Sequence, residues 1–288
     1  MPTKREKDEL TGQETTGHEW DGIQELNTPL PKWWLYVFYA SIVFSVIYMV
    51  LYPSIPWLSG HTEGMLGWDR RSELQETMQE ARAEQAQYFE RIAAADLQTI
   101  REDNELLNFS MAGGQATFAD NCAPCHGQGG AGRPGGYPTL ADDAWIWGGS
   151  LEAIHHTIAN GVRNDHENSR QSMMPAYGQM LDSGQVRQVA TYVKSLSAEV
   201  DNPDAVQAGQ EIYSQQCVAC HGPEAQGNPQ MGAPNLSDQI WLYGARIDDL
   251  VSQISNPQHG NMPAWGERLE PEMVKMLAVY VHALGGGQ

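Results

Sequence analysis

The chain has 288 residues, 41% of them hydrophobic, and a formal net charge of −19. That length allows two or three small domains with proper cores. With 17 basic residues against 36 acidic ones and no basic run, the composition excludes a nucleic-acid binder, whose phosphate partner demands clustered Lys and Arg. An acidic balance suits solubility and the steering of a positively charged partner.

Residues 1–31 are polar and turn-rich and end in "NTPLP", where two close prolines predict an extended approach to the next segment. That segment is "KWWLYVFYASIVFSVIYMVLYPSIPW". Leu35 to Tyr52 gives 18 residues without a charge, and Pro53 marks the expected helix end. At 1.5 Å per residue such a helix is about 27 Å long, close to the hydrocarbon thickness of a bilayer. Trp33, Trp34 and Tyr36 crowd one end, and Tyr48, Tyr52 and Trp57 the other, as membrane interfaces favour. A cleaved signal peptide fits poorly: the preceding segment is too long, and "IPWLSG" lacks a small-residue cleavage pattern. The reading is a single transmembrane anchor over 32–58. Lys4, Arg5, Lys7 and Lys32 precede the uncharged stretch from Leu35 to Tyr52, which puts the N-terminus on the cytoplasmic side.

Residues 69–107 are rich in Glu, Ala, Gln and Arg and contain neither Gly nor Pro, so helix is expected. Apolar positions are few and no heptad is sustained. The expectation over 59–108 is a solvated helical spacer.

The remainder is an internal duplication. "CAPCH" at 122–126 and "CVACH" at 217–221 align with an offset of 95. Gly114, Gln115 and Phe118 then match Gly209, Gln210 and Tyr213. "YPTL" (137–140) matches "APNL" (233–236), and Trp145, Trp147 and Gly148 match Trp241, Tyr243 and Gly244. "MPAYG" (174–178) matches "MPAWG" (262–266). Val189, Tyr192, Val193 and Leu196 match Leu277, Tyr280, Val281 and Leu284, whose helical spacing predicts a closing amphipathic helix in each copy. Two tandem domains of one fold are expected, over 109–198 and 199–288.

All four cysteines belong to the two C-x-x-C-H motifs, so none remains for a disulfide framework. C-x-x-C-H is the attachment sequence of a c-type haem: two thiols one helical turn apart bond the porphyrin, and the adjacent His projects toward the iron. Thioredoxin-like chemistry would need a βαβ pattern, and a four-cysteine zinc site would need a far shorter gap and leave both histidines unexplained. Two covalently attached haems c are therefore expected, one on Cys122, Cys125 and His126, the other on Cys217, Cys220 and His221. Covalent haem attachment takes place outside the cytoplasm, which puts both domains on the periplasmic side of a bacterial inner membrane and agrees with the charge asymmetry.

Each repeat also offers one Met-Pro on a loop-like stretch. Met174 and Met262 are the candidate sixth ligands, a thioether being the ligand that raises haem potential. The repeat selects Met174 over Met173 and sets aside Met180 and Met231. His155, His156 and His259 have no counterpart in the other copy and read as surface or local hydrogen-bonding groups. Ligation within each repeat is the default, but spacing leaves open a crossed arrangement in which the domains exchange methionine loops. With both axial positions filled, neither iron would have a site for oxygen, and no catalytic set of the chain's own is evident, so the chemistry expected is electron transfer.

An N-terminal anchor followed by two tandem class I cytochrome c domains resembles the di-haem subunit III of cbb3-type cytochrome c oxidases. "TTGHEWDGIQELNTPLPKWW" (15–34) is the most specific part of that likeness. The resemblance implies a mainly α-helical electron conduit of a respiratory, proton-pumping oxidase. It would accept electrons from a periplasmic donor cytochrome c and pass them through a mono-haem subunit to the haem–copper catalytic subunit. A free-standing anchored di-haem carrier is the alternative. A di-haem peroxidase would need one open iron, which two matched Met loops disfavour.

Overall fold

The computed structural model describes residues 5–285 and 287. Contacts divide the chain into two compact units at Glu84.

In the first unit, strands β1 (Thr15–Trp20) and β2 (Ile23–Leu26) form an antiparallel hairpin. This differs from the extended, turn-rich segment expected there. Its cause is in plain sight: Asp21 and Gly22 both adopt positive φ (52° and 84°), the requirement of a two-residue type I′ turn. Helix α1 (Lys32–Leu51) follows, and the chain leaves it at Tyr52, just before Pro53. Its 18-residue window has a mean hydropathy of 2.0, and none of its residues is buried within the chain. It is long and apolar enough to cross a membrane. A short hairpin, β3 (Pro56–Trp57) and β4 (Gly60–His61), comes next.

Helix α2 (Arg70–Ala94) begins in the first unit and ends in the second. The single helix expected over 69–107 is broken twice, after Ala94 and after Glu102. Both breaks occur at aspartates whose side chains cap a new helix. Asp96 accepts from the Thr99 N–H and opens α3 (Leu97–Glu102), while Asp103 accepts from Glu105 and Leu106 and opens α4 (Asn104–Asn121). The stretch is solvated only in part. Ile92, Ile100 and Leu106 are buried, so its end belongs to a core rather than to a spacer.

The second unit continues with α5 (Ala123–His126), α6 (Leu151–Asn160), α7 (Ser183–Ser195), α8 (Pro203–Gln216), α9 (Val218–His221), α10 (Ile247–Ser255) and α11 (Pro271–Leu284). Two hydrophobic cores form here, and neither is built from one sequence repeat. The first joins Phe118 of α4, Ile154 and Ile158 of α6, and Val274, Leu277 and Val281 of α11. The second joins Val189 and Val193 of α7, Tyr213 of α8 and Leu250 of α10. The closing helices are thus exchanged: α11 packs on α4 and α6, and α7 packs on α8 and α10.

The exchange is reciprocal in detail. Gly114 of α4 lets the Met276 carbonyl and Tyr280 of α11 approach so closely that an added Cβ would lie 2.6 Å from the Tyr280 Cβ. Gly209 of α8 does the same for Gln188 and Tyr192 of α7. Phe118 meets Tyr280 with ring centroids 5.5 Å apart, and Tyr213 meets Tyr192 at 5.2 Å. Lys275 fixes α11 from the other side, its Nζ donating to the carbonyls of Ile92, Ala93 and Ala95 at 2.7–3.0 Å. A cation there complements the negative end of α2.

Candidate haem-binding sites

Each C-x-x-C-H motif forms one tight turn. The N–H groups of Cys125 and His126 donate to the Cys122 carbonyl at 3.1 and 2.8 Å; those of Cys220 and His221 donate to Cys217 at 3.1 and 3.0 Å. The four described cysteines are unbridged. Burial pushes the thiols of Cys122 and Cys217 up to about 11. This geometry puts two thiols and an imidazole on one short surface, as covalent haem attachment requires.

The imidazoles are held in matching ways. Nδ1 of His126 donates to the Pro138 carbonyl (3.1 Å), and Nδ1 of His221 donates to Pro234 (3.0 Å). A proton on Nδ1 leaves Nε2 with a free lone pair, the state a metal-binding histidine needs. Burial keeps both rings below their ordinary pKa, against the opposing pull of the carbonyl, and so favours the neutral form. The motif and its spacing do not single out Pro138 and Pro234. The matched "YPTL" and "APNL" segments are the signal that points to them.

A cavity of ≈ 830 Å³ borders the second motif, and Met174 lines it together with Cys217, Cys220 and His221. That volume lies within the range of small-molecule and cofactor sites. Tyr177, in the same loop as Met174, donates its hydroxyl to the Gln216 carbonyl, one residue before Cys217, at 2.7 Å. Met262 instead packs against the first core, alongside Cys122. Its loop is held on α6 by the N–H of Trp265 to Ile158 (3.1 Å) and of Gly266 to Ala159 (2.9 Å). The methionine loops therefore go with the closing helices, each lying with the other repeat's cysteines. Met173, Met180 and Met231, which the repeat pattern sets aside, are 75%, 59% and 43% exposed.

The two loops are anchored differently. Met262 and Val162 exchange a pair of backbone hydrogen bonds, both 2.9 Å. The Met174 N–H donates to Nε2 of His259 at 2.9 Å. His259, a local hydrogen-bonding group by its sequence context, thus has a partner 85 positions away, in the other repeat. His155 is half-buried beside Lys275, and His156 is near Arg170 and His166.

The residues present fit a covalently bound haem at each motif: a thiol pair on one turn and an imidazole with its distal nitrogen free, with a thioether in the cavity wall at the second motif and one packed against the same core as Cys122 at the first. Two helical units of this kind, in tandem behind an apolar N-terminal helix, define a membrane-anchored cytochrome c.

Comparison with known proteins narrows the class. Residues 12–59 match the N-terminal domain of cytochrome oxidase-cbb3, FixP, and residues 110–193 and 204–281 each match cytochrome c oxidase, cbb3-type, subunit III. The chain is 47% identical over 281 residues to the cbb3-type cytochrome c oxidase subunit FixPc of Rhizobium leguminosarum bv. viciae, covering 97% of this chain and 98% of that one. It is 46% identical over 294 residues to subunit CcoP of Azospirillum brasilense, covering 99% of each. The chain belongs to the family of cbb3-type cytochrome c oxidase subunit III.

Proposed function

We propose that this chain is the membrane-anchored di-haem electron-transfer subunit of a cbb3-type cytochrome c oxidase. Family membership over nearly its whole length supports a stable oxidase subunit over a free-standing carrier. The observation that carries the reading is the pair of C-x-x-C-H turns, each with its histidine Nδ1 on a proline carbonyl and a methionine loop alongside.

Two haems c are held, one by Cys122 and Cys125 and one by Cys217 and Cys220. His126 and His221 are the proximal ligands. The exchanged packing supports crossed pairing, with Met262 completing the His126 site and Met174 the His221 site. Bound haem supplies a one-electron iron couple. The chain's residues would do the rest: the thiols would tether the group, the proline carbonyls hold the imidazole tautomers, the thioethers of Met174 and Met262 would serve as second ligands and raise the potential, and the cavity wall at the second motif would limit water. With a histidine and a methionine offered to each haem, both sites would suit electron transfer rather than oxygen binding.

The anchor α1 lies in the bacterial inner membrane, with the N-terminus cytoplasmic and both haem domains periplasmic. A periplasmic cytochrome c delivers electrons, and a mono-haem subunit and the haem–copper catalytic subunit receive them. The overall acidity suits a donor of positive charge. Purification in mild detergent tests the assignment. A co-purifying haem–copper chain, reduced through this subunit by a soluble cytochrome c, is the expected result; a lone cytochrome that reduces no oxidase would overturn it.

A further inference from the structure

The two methionine loops meet at a single side chain. Nε of Arg163 donates to the Gly260 carbonyl at 2.8 Å, and Nη1 of the same guanidinium donates to the Ser172 carbonyl at 2.9 Å. Gly260 stands two residues before Met262, and Ser172 stands two residues before Met174. One planar fork therefore grips both loops at equivalent positions, although they serve different C-x-x-C-H motifs.

Three further features centre on this residue. Arg163 adopts a left-handed backbone (φ 49°), one of three non-glycine residues to do so among those described. Such a conformation persists only where its surroundings enforce it. Its neighbours complete the grip on Met262: Val162 pairs with that backbone in both directions, and Nδ2 of Asn164 donates to the Met262 carbonyl at 2.7 Å. Finally, 14 positions separate Asn160 from Met174, but only 7 separate Ser255 from Met262. The extra length of the first repeat lies in the segment carrying Arg163, so the second repeat has no equivalent residue.

From this geometry we infer that Arg163 is a positioning residue shared by both haem sites, holding the two sulfur ligands in place together. The inference rests on the assignment of Met174 and Met262 as ligands. A guanidinium suits the task because its donors diverge at fixed angles in one plane, which a lysine ammonium cannot reproduce. The group also lines the cavity beside Met174 and His259. Its positive charge there disfavours the ferric state and adds to the potential set by the thioethers. Loosening the fork would let both sulfurs drift, and both sites would respond to one substitution.

The test uses the full chain in the purified oxidase. The sulfur-to-iron absorption of the ferric protein and a redox titration of each haem are recorded for Arg163→Gln. The expected result is a loss of much of the sulfur-to-iron absorption at both haems, with both potentials lowered. Arg163→Lys keeps the charge and the aliphatic stem but not the fork, and serves if the glutamine variant does not accumulate. It should weaken the absorption at both haems while lowering the potentials less. In either variant a change confined to one haem, or no change, overturns the inference, because a loop staple of purely structural importance would leave both spectra intact in a folded protein. Met174→Ala and Met262→Ala separate the two levels. If either leaves the absorption unchanged, the ligand assignment itself fails; if both remove it while the Arg163 variants do not, only the shared clamp fails.

Discussion

His259 accepts the Met174 N–H at 2.9 Å, and burial together with the nearby Arg163 charge holds its imidazole below the usual pKa. The acceptor is therefore present at physiological pH. Replacing it leaves a loop N–H without its protein partner, a loss of about 1 kcal/mol. His259→Ala should thus weaken the sulfur-to-iron absorption of the haem on Cys217 and Cys220 and spare the other haem. His259→Gln, which retains an acceptor, should restore part of it. Equal loss at both haems in His259→Ala would contradict this local role. Some of this residue-level detail is legible in the sequence. The proline carbonyls behind His126 and His221 lie in a matched segment of the two repeats. Arg163 and His259 do not, since the methionine loops differ in length and no internal comparison can single them out.

At the scale of elements, the helices are legible where periodicity and caps agree. The apolar positions of α7 and α11 carry their spacing openly, and the end of α1 before Pro53 follows from backbone chemistry. The N-terminal hairpin is hidden because its Asp-Gly turn sits among polar residues with little alternation. The breaks in the long helix are hidden because Asp96 and Asp103 act as caps only once α3 and α4 fold back into a core. The partner of each closing helix cannot be read at all, since the two repeats present the same apolar pattern. Leu277 belongs to the second repeat but is fully buried in the first core, beside Phe118 and Ile158. Leu277→Ala should therefore cost about 2–5 kcal/mol in the unit that holds Cys122. In thermal unfolding followed by haem absorbance, sulfur coordination at that haem should be lost at lower temperature while the other haem is nearly unaffected. The opposite order would mean that α11 supports its own repeat.

For the molecule as a whole, exchange makes each haem site depend on residues from both repeats. Residues 109–198 alone carry a haem attachment motif but lack both α11 and Met262, and α7 would have no core to cover. That fragment should give a protease-sensitive product without sulfur coordination at its haem, whereas residues 85–288 should fold with both sites complete. A protease-resistant, sulfur-ligated fragment would show that each repeat is self-sufficient. Duplication, membrane anchor and attachment chemistry are all open to a reading of the chain. The pairing of the two halves is not, because spacing constrains distance along the chain and says nothing about which of two equivalent surfaces is met.

Crossed ligation is the central claim, and a chain with a single haem tests it directly. Changing Cys217 and Cys220 to Ala leaves only the haem on Cys122 and Cys125, whose sulfur-to-iron absorption is then recorded with and without each methionine. The account predicts that Met262→Ala abolishes that absorption and Met174→Ala preserves it. Loss on removing Met174, with Met262 dispensable, would contradict the exchanged arrangement.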